Sequence, residues 1–199
     1  FLNAKDLGRQ EEGADFQMVL IDELTNEIVV PNGTMGDRHT NPQKWNLRLK
    51  NRDTGAKIDP RLSVFDQRED VTVVKLPYFG DEEHEGVIER AIPTITVQTV
   101  DGPVKVTTVY DLILANYGID RGIGGEVATS YTDDTPYTPT WQEKITGVKA
   151  DIAIATAREF ADNAEKTKGR SMIIMGGGIN HWYHADVIYR TILNLIMFC

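Results

Sequence analysis

Three consecutive glycines, Gly176, Gly177 and Gly178, are followed closely by Asn180, His181 and His184, the densest grouping of chemically capable residues in the chain. Glycine lets a ligand come close to the backbone, and amides that open a helix draw phosphate. The order Gly176-x-Gly178-x-x-His181 departs from the dinucleotide fingerprint at its third glycine. Spacing therefore supports a nicotinamide or flavin site only weakly and favours a plain tight turn. His181 and His184 stand three apart and could share a metal, but a catalytic zinc needs a third protein ligand and none is adjacent. A hydrogen-bonded or solvent-facing pair is the simpler reading. Asp186 suits the start of a helix, where carboxylates are favoured, and Trp182 and Tyr183 suit packing of the loop. Asp81, Glu82, Glu83 and Glu85 lack the central glycine of a calcium loop and read as a solvated turn. His39 and His84 fall in polar loops and are given no role. No nucleophile elbow, P-loop or metalloprotease helix occurs.

The glycines need elements to hold them. Residues 171–175, Ser-Met-Ile-Ile-Met, form an apolar run expected of a strand buried on both faces. A helix is expected from about 185 to 199, with Val187, Ile188, Thr191, Ile192, Leu195 and Ile196 on one side. Strand, glycine loop and helix make a β-α unit. A parallel neighbour would require a crossover of about a dozen residues or more, and residues 109–199 offer one clear strand. Most of this sheet is therefore expected outside the sequence, which then reads as an excerpt.

Upstream of that unit, Ala153, Ala157, Phe160, Ala161 and Ala164 repeat at helical spacing and stop by Gly169. Thr140-Trp-Gln-Glu143 matches a capping box, with Gly147 ending its helix. A short helix over 110–117 ends at Gly118, and a loop rich in Gly, Asp, Thr and Pro runs over 119–138. Residues 1–108 read as β. Runs at 16–21 and 28–30 suit a hairpin with a longer loop, Trp45, Leu47 and Leu49 alternate with polar residues, and Asp53-Thr54-Gly55 signals a turn before 62–65. Val71, Val73 and Lys75 lie on one face of a strand with Thr72, Val74 and Leu76 on the other, closed by Pro77. The clearest hairpin joins 95–100 to 104–109 through Asp101-Gly102. The expected fold class is mixed α/β, a β-rich segment over 1–108 followed by part of an α/β domain over 109–199.

Composition narrows the function classes. With 41% apolar residues over 199 positions, the chain can bury a core. A net charge of -9, with 21 scattered basic residues, argues against a nucleic-acid surface. A single cysteine, Cys199, can build neither a disulfide framework nor a cysteine-ligated cluster. The apolar stretch over 192–199 is too short to span a bilayer, and no signal peptide is legible. Both ends are expected to be cuts, because the sequence opens without Met and stops within a helical pattern.

Three segments carry a resemblance. They are Val106-Thr-Thr-Val-Tyr-Asp-Leu-Ile-Leu-Ala-Asn-Tyr-Gly118, Tyr137-Thr-Pro-Thr-Trp-Gln-Glu-Lys-Ile-Thr-Gly147 and Gly169-Arg-Ser-Met-Ile-Ile-Met-Gly-Gly-Gly-Ile-Asn-His-Trp-Tyr-His184, the last running on to Tyr189-Arg-Thr-Ile-Leu-Asn194. They resemble the alpha subunit of membrane-bound respiratory nitrate reductase, within the molybdopterin oxidoreductases; the first half resembles it more loosely, through Pro77-Tyr-Phe-Gly80. One departure is Gly177, where the family pattern leads us to expect Ala.

The resemblance implies reduction of nitrate to nitrite at a molybdenum bis(guanine dinucleotide) cofactor, with the molybdenum ligand and the iron-sulfur cluster ligands outside this sequence. It implies that 109–199 is part of a cofactor-binding domain. Gly176, Gly177 and Gly178 would then give backbone contacts to the pterin, Asn180 and His181 would face the molybdenum pocket, and His184 would support them from one turn further on. His181 is the expected catalytic residue. Implied partners are an iron-sulfur beta subunit and a haem-bearing membrane gamma subunit. The implied location is the cytoplasmic face of the membrane, or the outer face in some archaeal relatives. Related reductases of chlorate, perchlorate or selenate, and a non-catalytic α/β binding module, are the alternatives. The excerpt alone is expected to be inactive.

Overall fold

A computed structural model describes residues 1–32, 49–78 and 86–199. Trp45, Leu47, Phe79, Gly80, His39, His84 and the acidic group Asp81, Glu82, Glu83 and Glu85 lie outside the described residues. The chain forms two compact units, Phe1–Val127 and Ala128–Cys199.

In the first unit the expected early hairpin forms as β1 (Leu20–Ile21) and β2 (Ile28–Val29), paired antiparallel. Buried Asp22 closes it, accepting from the amide of Asp59 at 2.9 Å and from the hydroxyl of Thr25. A three-stranded antiparallel sheet follows in the order β3 (Asp70–Pro77), β4 (Val87–Thr99), β5 (Gly102–Val106). The two faces of β3 separate as expected, with Thr72, Val74 and Leu76 half-buried and Val71, Val73 and Lys75 exposed. Val100 and Asp101 make the tight turn into β5, and Gly102 takes φ +109, a value costly for any residue with a Cβ. The central strand β4 reaches back to Val87 and includes Pro93, opposite Val71 of β3. Proline is rare in central strands; β5 pairs only from Ile95 onwards, so among the described residues Pro93 has a strand on one side alone.

Helix α1 (Val109–Asn116) begins at Thr108, whose hydroxyl accepts from the amide of Asp111 at 3.1 Å, and Gly118 beyond its end takes φ +69. The last strand ends at Val106 and the first helix begins at Val109. The compact units nevertheless divide at 127/128, because α1 packs on β4 and stays with the sheet. Fully buried Asp111 ties these parts together. It accepts from Ser63 Oγ at 2.6 Å, Val64 N at 2.9 Å and Thr108 Oγ1 at 2.7 Å, and is paired with Arg121. Burial pushes its carboxyl up, but the bonds from Ser63, Arg121, Val64 and Thr108 outweigh that and hold it below the ordinary carboxylate value. Arg121 also lies 4.1 Å over the ring of Phe65.

The second unit is helical: α2 (Pro139–Thr146), α3 (Ala150–Thr167) and α4 (Ala185–Met197). The cap of α2 is Thr138, not Thr140: Pro139 holds the first helical position, where a missing N–H costs nothing, so the capping hydroxyl must precede it. Glu143 caps a helix too, but the next one, accepting from the amide of Ala150 at 2.9 Å and from Lys149 at 2.7 Å across the left-handed turn at Gly147. Helix α3 ends at left-handed Lys168 and Gly169, as its spacing anticipates.

Candidate functional site

Residues 171–175 lead into the glycines without pairing to any strand among the described residues. Met172 and Ile174 are 76% and 85% exposed while Ser171, Ile173 and Met175 are half-buried, so the run has the two-fold alternation of a strand without the neighbours that would complete one. Ser171 anchors its start, donating to Phe160 O at 3.0 Å and accepting from Asn163 Nδ2 at 2.9 Å.

The glycines then behave in an unexpected way. Gly176 is extended, with φ -109 and ψ 174, and begins a 3-10 turn, Gly177–His181. None of the three adopts positive φ, and a Cβ built on any of them meets nothing within 4 Å. Gly125 is the contrast: at φ +89, its Cβ would come within 2.7 Å of Ala91 N. Neither conformation nor packing within the described residues explains the triplet, which weighs against the plain-turn reading. Exposed glycine backbone of this kind leaves room for another group to approach closely.

The turn sets Asn180 and His181 exposed beside this open backbone, and Trp182 and Tyr183 are exposed as well, at 72% and 88%, rather than packing the loop. The 3-10 turn also separates the glycines from α4, so they do not open that helix directly. His184 starts α4 in left-handed backbone, φ +60, with its ring 4.1 Å from that of Tyr183. Asp186 occupies the first turn of α4 and pairs with Arg190 at 3.6 Å, one turn along. Among the described residues no group of three or more His, Cys, Asp or Glu could hold a metal ion. A further residue, missed in the sequence, belongs here: the hydroxyl of Tyr189, half-buried on α4, donates to Asn180 Oδ1. Nothing in a nine-residue spacing suggests that contact.

The chain is 47% identical over 197 residues, 99% of its length, to the nitrate reductase alpha chain of Bacillus subtilis (strain 168). It is 44% identical over 200 residues, 96% of its length, to the respiratory nitrate reductase 1 alpha chain of Escherichia coli (strain K12). This chain belongs to the nitrate reductase alpha chain family. It spans about 16% of the length of these curated relatives, and so corresponds to a piece of a nitrate reductase alpha chain. A perchlorate reductase subunit alpha of Dechloromonas aromatica (strain RCB) matches at 48% over 54 residues, 27% of this chain. No protein-family profile matches. Mixed helices and antiparallel sheets fit the fold class expected for such a piece. No helix among the described residues is long and apolar enough to cross a membrane.

Proposed function

We propose that this chain is the part of a molybdenum-dependent nitrate reductase whose glycine loop forms one wall of the cofactor pocket. The observation that supports this reading is the open triplet Gly176, Gly177 and Gly178, which no contact or backbone angle among the described residues requires, in a chain so similar throughout to nitrate reductase alpha chains.

The residues present fit a molybdenum bis(guanine dinucleotide) cofactor. Uncovered glycine backbone can lie against a flat pterin or a pyrophosphate, and Asn180 and His181 offer side-chain donors beside it. When bound, that cofactor supplies the two electrons that, with two protons, convert nitrate to nitrite and water. The protein's part here is placement and electrostatics. Gly176, Gly177 and Gly178 admit the group, Asn180 orients what lies in the pocket, and His181 donates a hydrogen bond to oxygen as negative charge builds on it. His184 holds the start of α4 in place behind them. The metal ligand and the iron-sulfur cluster ligands come from other parts of the alpha chain. In the complete subunit, residues 171–175 gain strand neighbours, making 109–199 part of an α/β cofactor domain. An iron-sulfur beta subunit and a haem-bearing gamma subunit deliver electrons and hold the enzyme at the cytoplasmic face of the membrane.

The full-length polypeptide, purified from its own host, should carry about one molybdenum per chain by elemental mass spectrometry and consume nitrate with a reduced dye as donor. Material grown with molybdate that holds none would turn the reading towards a non-catalytic module. Chlorate, perchlorate or selenate outcompeting nitrate would point to a sister reductase, the second reading favoured by the perchlorate reductase match. Replacing His181 with Ala should lower nitrate turnover about tenfold, the order of one hydrogen-bond donor, while molybdenum content persists. Unchanged turnover would leave His181 a bystander.

A further inference from the structure

We infer that Tyr189 is the positioning residue of this pocket, fixing the carboxamide of Asn180 so that its N–H2 group is presented as a donor to an acceptor oxygen. This rests on the proposed placing of Asn180 in the cofactor pocket. A carboxamide is two-faced: one end accepts, the other donates, and its terminal torsion is broad and roughly two-fold, so an unheld Asn presents either end. Here the choice is made. The Tyr189 hydroxyl donates to Asn180 Oδ1, which occupies the accepting end and leaves Nδ2 with its two hydrogens for another partner. The anchor is firmer than the group it holds. Tyr189 is half-buried in the second turn of α4, whereas Asn180 is exposed on the 3-10 turn that packs against that helix.

The chemistry of the expected ligand follows. A pair of outward N–H groups suits an electron-rich oxygen, either of nitrate or of a pterin carbonyl, and rejects a donor. With phenylalanine at 189 the ring still packs but the amide turns freely, so binding is lost by the order of one hydrogen bond, about three- to tenfold.

The test uses the full-length subunit with Tyr189→Phe, Asn180→Ala and both together, measuring molybdenum per chain, KM and kcat for nitrate, and thermal midpoint. If the oxygen is nitrate's, both single variants raise KM about three- to tenfold with kcat, molybdenum and midpoint held. If it is the pterin's, both lower molybdenum content by a similar factor. In either case the double variant is no worse than Asn180→Ala alone, the signature of two residues acting as one. An active Asn180→Ala beside a silent Tyr189→Phe overturns the positioning role. A silent Asn180→Ala overturns the placing of Asn180 itself, a separate failure. Additive effects with a fall in midpoint make Tyr189 a packing residue and also overturn the inference.

Discussion

Replacing Gly178 with Val should strip the full-length subunit of most of its molybdenum and with it its activity, while leaving the thermal midpoint of the cofactor-free subunit within about 1 °C. Nothing among the described residues stands against a Cβ there: Gly178 has no positive φ, and a Cβ meets no atom within 4 Å. Its cost arises only where another surface presses on the backbone. Overpacking of a close contact costs about 1–3 kcal/mol, or roughly five- to a hundredfold in retention. Gly177→Ala, the smallest such change and the residue the family pattern leads us to expect, should be tolerated. A lowered midpoint in the cofactor-free subunit would show instead that protein, not cofactor, lies against the glycines. Full molybdenum retention with unchanged midpoint would leave nothing there at all.

Asp111→Ala should destabilise the chain by about 3–5 kcal/mol, the range for removing one partner from a buried ionic cluster. The variant leaves Arg121, Ser63 Oγ and the amide of Val64 facing a void. Urea unfolding at neutral pH reads the loss, and a change within about 0.5 kcal/mol would mean that water replaces the carboxylate at no cost. The pH dependence has a fixed sign. The folded carboxyl is held below its ordinary value, so the stability contributed by its ionisation is present above the unfolded value of about 3.9 and is lost as pH falls through the lower folded value. As pH falls below the unfolded value, the native chain should therefore weaken more steeply than Asp111→Asn.

Much of this fold was legible because its signals are local. Alternation marks β3, Asp101-Gly102 marks the turn into β5, and alanines at helical spacing mark α3. The misses are contacts that local patterns do not encode. Residues 87–94 were not foreseen as strand, since Glu89, Arg90 and Pro93 break any apolar rhythm; pairing with β3 overrides them. Glu143 fits a capping box for α2 and instead serves α3, a choice made by the reversal at Gly147. Buried Asp111 draws partners from positions 63, 64, 108 and 121, a gathering that spacing does not reveal. At the candidate site the glycines, Asn180 and His181 were visible as residue types, and family resemblance rather than spacing gave them a role. Tyr189 was not visible, because its contact to Asn180 depends on how the 3-10 turn folds back on α4.

Pro93 has a consequence for how this sheet behaves in company. Strand β4 outruns β5, so that among the described residues no strand pairs with 87–94 on that side, and an unpaired strand flank is an invitation for a foreign strand to add on. Thr99 and Gly102 face each other across the two-residue turn, and backbone groups alternate sides along a strand, so the nitrogen of Pro93 points to the unpaired flank and has no hydrogen to give. A little further along, Gly125 bridges to Arg90, and α1 lies against the same strand. The flank is thus guarded twice over, by an imino acid that cannot donate and by the chain's own return, which works against a foreign strand adding to the longest strand among the described residues.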